Sequence, residues 1–320
     1  DDGSAAHNSN QFTGEYSNSG FYDDHNWIAL TVTAFIKETG DLNFMHQNIS
    51  YCKSDKTGTV LEHLLKANDY AWSLRGKNGL MQTGAADWND SLNPGDKESE
   101  SIFTSLLFCA STKALIEFGK YTNNVDLIEK LRPRYKLIKD LANTIGWDGG
   151  WYKRMIKTDG MILGGRESGK YDIATIFLEP QPWSVISGVA NRERAISALD
   201  AVEEKTGTEY GHRLMDKGFT CYDPDIGSVG IFPPGIKENA SVFNHASSWM
   251  IFAEALLGRG NKAFDYFTRM SGATKNRIAA LHEVEPYVAC QFVTQKPFHI
   301  VGRGRNGWLT GTASWMAIGA

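Results

Sequence analysis

Long hydrophobic runs are missing from this sequence: no uninterrupted apolar stretch approaches the roughly 18 residues that span a bilayer, so no transmembrane segment is expected. Cysteine is scarce. Cys52, Cys109, Cys221 and Cys290 stand far apart, with no C-x-x-C and no zinc spacing. They are expected to be free thiols in a reduced compartment, and no metal site is expected. An excess of one charge is also lacking, because 33 Lys and Arg against 37 Asp and Glu leave a net charge of −4. Such a weak field argues against nucleic acid and anionic membranes as partners. The chain opens Asp1-Asp2-Gly3, with no initiator Met, basic n-region or apolar h-region. No signal peptide is visible, a cytoplasmic setting is expected, and so abrupt a start is expected of a piece of something longer. No Pro/Ser-rich linker and no strict repeat divides the 320 residues, which are read as one domain.

What is present is a succession of helical patterns. Trp27, Ile28, Leu30, Val32, Ala34, Phe35 and Ile36 mark a helix over 24–39 that stops at Gly40. Further helices are predicted over 57–74, 98–118, 125–145, 180–189, 192–205, 242–257, 262–270 and 308–318. Glu98 and Glu100 suit the positive start of the third. The stretch 242–257 is apolar on nearly every face, as in a helix enclosed by others. Residues 147–165, rich in Gly, Trp and Tyr, read as short strands or turns. Residues 1–22 read as an extended lead-in. Pattern alone supports a mostly helical domain.

Four loop motifs between these helices mix polar, aromatic and Gly residues, the composition of sites held by a rigid scaffold. They are Asp23-Asp24-His25-Asn26-Trp27, Gly84-Ala85-Ala86-Asp87-Trp88-Asn89-Asp90, Pro233-Pro234-Gly235-Ile236-Lys237-Glu238-Asn239 continuing to His245, and Trp308-Leu309-Thr310-Gly311-Thr312. A carboxyl at Asp90, near an indole and the Asp87 carboxylate, should have a raised pKa, which suits a general acid. The residues alone leave an Asx-turn or helix N-cap as its other role. Asp87 is expected to hold the loop. Sequons at Asn48, Asn89 and Asn239 are read as chance matches, because two of them fall inside these motifs, where a glycan would block chemistry.

With Asp2-Gly3-Ser4, Glu179-Pro180-Gln181 and Glu285-Pro286-Tyr287 added in order, the chain resembles the inverting disaccharide phosphorylases, the cellobiose phosphorylase family (glycoside hydrolase family ninety-four), nearly end to end. The resemblance implies an all-α fold, an (α/α)6-type toroid with short β hairpins in its loops. It also implies that the family's N-terminal β-sandwich, helical linker and first toroid segment, which supplies an Arg and an Asp to the donor sugar, lie outside residues 1–320.

The resemblance further implies roles. Asp90 becomes the general acid, and Trp88, Phe232, Lys237, Glu238 and Gln291 bind sugar. His245, Thr310 and Gly311 bind phosphate, the co-substrate, and no other cofactor is implied. An aromatic at Phe232 favours a glucosyl donor over N-acetylglucosamine. Inverting phosphorolysis needs one acid and no base, since the phosphate anion attacks C1 itself. Inverting hydrolysis needs a second carboxylate about 6.5–9.5 Å away. The expected reaction is therefore phosphorolysis of a cellobiose-like β-glucoside to α-glucose 1-phosphate. The alternatives are an inverting glycosidase with Asp24 or Glu238 as base, and a truncated, inactive sugar-binding module. A homodimer is left open. Two decoys drop out. Gly302-Arg303-Gly304-Arg305-Asn306-Gly307 spells G-x-G-x-x-G without the βαβ unit it requires, and His282-Glu283 lacks the second His of H-E-x-x-H.

Overall fold

A computed structural model describes residues 2–52, 54–166 and 172–320. Its helices are α1 (Asp24–Thr39), α2 (Val60–Ser73), α3 (Ile102–Tyr121), α4 (Val125–Leu141), α5 (Pro180–Ile186), α6 (Arg192–Thr206), α7 (Asn244–Leu256) and α8 (Gly260–Met270). Two short ones, α9 (Gly272–Lys275) and α10 (Ala279–His282), precede α11 (Thr312–Gly319). The strands are short and antiparallel. β1 (Asn8–Ser9) pairs with β2 (Tyr16–Ser17), and β3 (Asn48–Ser50) with β4 (Thr57–Thr59). β5 (Glu100–Ser101), β6 (Met155–Ile156) and β7 (Ile162–Leu163) form one sheet. β8 (Gly207–Thr208) pairs with β9 (Gly211–His212), and β10 (Val242–Phe243), β11 (Cys290–Val293) and β12 (Gly304–Gly307) form another sheet. The G-x-G-x-x-G string thus runs into a β-strand.

The helices α1, α3, α5, α7 and α11 lie side by side in that order, with α3, α5 and α7 the most buried, while α4, α6 and α8 pack outside these three. Neighbouring inner helices run parallel. Asp87 reaches the cap of α3 at one end, and Lys37 of α1 pairs with Glu117 of α3 at the other. Gly311 at the start of α11 abuts His245 at the start of α7, and Gly319 at its end abuts Ile251. This helical ring is an (α/α)6-type toroid, and one consequence fixes the site: the N-termini of the inner helices gather at a single end.

Local chemistry explains the boundaries. Gly40 in the left-handed region closes α1, and a Thr59–Glu62 capping box opens α2. Residues 57–59, expected in that helix, are instead β4. The third helix begins at Ile102, not at residue 98, because Glu100 and Ser101 are drawn into sheet pairing and the Ser101 hydroxyl caps Thr104 N–H at 3.0 Å. Val242 and Phe243 form a strand before α7, and α8 opens at Gly260, two residues ahead of the expected start. Trp308 and Leu309 precede α11 instead of starting it. The lead-in carries the β1–β2 hairpin. α3 has the length and mean hydropathy of a membrane span, although no unbroken apolar run announced it, but 16 of its 20 residues are buried among other helices. The four cysteines are free, with Cys109 and Cys290 buried.

Candidate active site

The loop before Asp90 is fixed by a buried ion network. The Arg154 guanidinium donates to both oxygens of Asp87, at 2.7 Å and 2.5 Å, and its Nε lies 3.5 Å from the Glu179 carboxylate. All three side chains are fully buried. Ser101 also donates to Asp87, at 2.7 Å, and Asn89 donates its amide to Glu179 at 3.2 Å. Asp87 and Glu179 thereby tie the Trp-Asn-Asp loop to the starts of α3 and α5. The guanidinium offsets the buried Asp87 carboxylate, while burial outweighs it at Glu179 and raises that carboxyl's pKa. Burial and hydrogen bonding likewise make glycosylation of Asn89 and Asn239 incompatible with this fold: Asn239 donates to the carbonyls of Phe219 and Phe232 and accepts from Phe219 N–H.

Asp90 itself is exposed at the open end of the ring. The protein around it still withdraws enough water to raise its pKa. His7 opposes that shift, Asp24 and Asp87 add to it, and Lys237 opposes it. The expected rise in pKa is therefore present, with Asp24 a stronger like-charge neighbour than Asp87. Asp24 begins α1 and bonds the His7 imidazole at 3.1 Å. Beside it, Asp23 is buried, and burial followed by the nearby Asp87 charge pushes its carboxyl well above the usual range, while the Trp27 indole donates to it at 2.8 Å. The 20–24 segment reaches this position by pairing along the Asp87 loop, with Tyr22 N–H bonded to Ala86 O at 3.2 Å.

The Pro-Pro-Gly loop lies against the same structure, since Val229 N–H bonds to Ser91 O at 2.8 Å and Ser228 N–H to Asn93 Oδ1 at 2.7 Å. Gly235 has φ +89°, and a Cβ there would fall 1.9 Å from Gln295 O, so only glycine fits this turn. The turn presents Lys237, whose ammonium sits 5.2 Å from the Phe232 ring centroid. Glu238 is half-buried, and its Oε2 has no hydrogen-bond partner. Burial raises its pKa, Lys237 opposes this, and Asp90 adds to it.

Trp88 points from the Asp90 loop into an aromatic cluster, 4.7 Å from Trp249 and 5.2 Å from His245 between ring centroids. Its face is thus partly committed to packing. His245 stands in the first turn of α7, where burial lowers its pKa to about 4 and leaves a neutral imidazole with Nε2 buried and unpartnered. A Cβ on Gly311 would come within 2.9 Å of that ring. Thr310, hydrogen-bonded to Thr312 at 2.6 Å, completes the junction at the start of α11. Two parallel helix N-termini meet here; at α11 the Thr310 hydroxyl accepts from Thr312 N–H at 3.2 Å, and the first turns together suit an anion.

Asp90, Trp88, Phe232, Lys237, Glu238, His245, Thr310 and Gly311 therefore share one end of the ring. Gln291 lies on β11, whose residues Cys290 and Phe292 adjoin Asn244 and Phe243 at the start of α7, and its side-chain oxygen is taken by Asn306 at 2.8 Å. Sequence reasoning gave no role to Arg154, Glu179 or His7. Arg154 lies in the Gly- and Trp-rich stretch with no local signal, and only its burial beside two carboxylates reveals it. A groove of about 400 Å³ lined by Thr33, Ile36, Lys37, Ala114, Phe118 and Tyr121 lies at the opposite end and bears none of this chemistry.

A profile of the family described as "Glycosyl hydrolase 94 superfamily, catalytic domain" matches residues 4–319. The chain belongs to this family. Its relatives include the N,N'-diacetylchitobiose phosphorylase of Vibrio furnissii, 34% identical over 295 residues, which are 92% of this chain and 36% of that protein. The solabiose phosphorylase of Paenibacillus borealis is 33% identical over 294 residues, 91% of this chain and 38% of that protein. The chain thus spans well under half the length of these curated relatives. Among solved structures, a rhamnosidase from Klebsiella oxytoca with rhamnose bound aligns with a TM-score of 0.60 at 11% identity, covering 99% of this chain and 50% of that one, a likeness of fold alone. Within the glycosyl hydrolase 94 family, the two phosphorylases carry different substrate names, so membership does not by itself choose a sugar.

Proposed function

We propose that this chain is the helical catalytic part of an inverting phosphorylase that converts a cellobiose-like β-glucoside, a disaccharide or short oligosaccharide, to α-glucose 1-phosphate and a shortened sugar. Asp90 protonates the glycosidic oxygen as the bond to C1 breaks. A phosphate oxygen attacks C1 from the opposite face, with inversion. The observation that carries this reading is the uncommitted His245 Nε2 at the shared start of α7 and α11, joined to the acid-bearing loop through Trp88. His245 and the Thr310 hydroxyl donate to phosphate, and the first-turn N–H groups, Gly311 included, add theirs. Lys237 and Glu238 bond sugar hydroxyls, Phe232 fills the space beside C2 and favours a glucosyl donor, and Gln291 serves the donor subsite after exchanging its Asn306 bond.

The names of the relatives support phosphorolysis over hydrolysis. Phosphate is the co-substrate, no other cofactor takes part, and the setting is cytoplasmic. The test is turnover of cellobiose by the complete protein with and without phosphate. Glucose 1-phosphate should form only when phosphate is present, and equal turnover in phosphate-free buffer would refute the proposal.

A further inference from the structure

At the starts of α7 and α11 lies a small pocket lined by Asn244, Thr312, Lys275, His282, Cys290 and Tyr210. Asn244 is the first residue of α7 and Thr312 the first of α11. The Asn244 amide donates to Cys290 O at 2.9 Å, while its Oδ1 is buried without a partner. With about 10 Å³ of space the cavity takes no ligand larger than about one water molecule. Whatever its lining does for chemistry, it does through the two helix starts in front of it.

Lys275 is the notable member. It is only 7% exposed. Its ammonium donates to Arg269 O and lies 5.1 Å from the Tyr210 ring centroid. Among the described residues no carboxylate forms an ion pair with it; Glu209 and Cys290 act on it at longer range, against Arg277. Burial lowers its pKa to about 8, so it is still mostly charged at neutral pH. A buried cation without an ion-pair contact is unfavourable, and two positive helix ends beside it make it more so. An anion bound at those helix ends relieves all three at once.

We propose that Lys275 is a positioning charge for the phosphate co-substrate, attracting the anion through the first turns of α7 and α11 without touching it. This rests on the reading of His245, Thr310 and Gly311 as the phosphate cradle. Keeping the charge outside the cradle leaves the space in front free for the neutral imidazole and N–H groups, which direct a phosphate oxygen at C1.

The test compares Lys275→Gln, which keeps a hydrogen-bond donor for Arg269 O, with Lys275→Arg, which keeps the charge, both in the complete protein. Lys275→Gln should raise the KM for phosphate about tenfold (about 1.4 kcal/mol), with the KM for disaccharide and kcat at saturating phosphate within about twofold. Lys275→Arg should hold the phosphate KM within about twofold. An unchanged phosphate KM in Lys275→Gln, or a loss of kcat and thermal stability without a phosphate effect, would overturn the proposal and leave a merely structural lysine. If Lys275→Gln does not fold, Lys275→Met decides: a raised phosphate KM with an unchanged disaccharide KM supports the role and an unchanged phosphate KM overturns it. A wild-type protein whose turnover is indifferent to phosphate would sink the functional reading itself, whereas a phosphate-dependent wild type with an unaffected Lys275→Gln sinks only this inference.

Discussion

The His245 imidazole meets the Trp88 indole edge-on, with ring centroids 5.2 Å apart and planes at 80°. This contact joins two segments separated by more than 150 residues and brings the Asp90 loop against the paired starts of α7 and α11. In the proposed reaction, a sugar bound between them has its leaving oxygen toward Asp90 and its C1 toward His245.

Replacing Asp90 by Asn keeps its shape and removes its proton. The rate of phosphorolysis should fall about 10²–10⁴-fold, with melting temperature nearly unchanged because the side chain is exposed. Retention of full kcat would take Asp90 out of the mechanism.

The pH profile should respond to neighbours with opposite signs. A general acid works while protonated, so activity is lost as pH rises through its pKa. Asp24 raises the pKa of Asp90 and Lys237 lowers it. Asp24→Asn should therefore move the alkaline limb to lower pH, and Lys237→Met should move it to higher pH. Measured kcat profiles that shift together in one direction would contradict this arrangement.

Arg154→Met removes the one cation shared by two buried carboxylates. Breaking a buried pair costs about 3–5 kcal/mol, so denaturant unfolding should show a loss of that order. A loss below about 1 kcal/mol would mean that the network does not hold the loop.

Gly311→Ala brings a methyl group 2.9 Å from the His245 ring, which must shift. The phosphate KM should rise several-fold while the disaccharide KM stays within about twofold. An equal rise in both would argue against Gly311 in the cradle.

His25 is buried edge-on against Tyr70, and burial lowers its pKa from 6.5 to about 4. The unfolded chain binds this proton first, so the contribution of His25 to stability is present above pH 6.5 and is lost as pH falls from 6.5 toward 4. The buried carboxyls Asp23 and Glu254 act the other way, their pKa values being raised. The informative comparison is therefore between proteins: His25→Asn should lose less stability than the wild type between pH 7 and pH 5. Parallel melting curves would show that His25 does not carry this dependence.

Much of the fold was legible because it is written in local terms. The helix over 24–39 came out with both ends right, since an apolar pattern and Gly40 act within a few residues. The starts at 57 and 98 were misplaced because capping by Thr59 and Ser101 competes with strand pairing, and the partners of Glu100 and Ser101 are Ile156 and Met155, more than 50 residues away.

The sequence by itself determined the helical pattern, the polar loops between helices and the carboxylate, histidine and lysine residues those loops can offer. Only the tertiary structure decided that Arg154 links Asp87 to Glu179, that His7 and Asp24 stand near Asp90, and that the starts of α7 and α11 meet. Local pattern reports short-range torsional preference and one-sided burial. Charge compensation and the alignment of helix dipoles depend on distances through space, and these are set only when the inner helices pack in parallel.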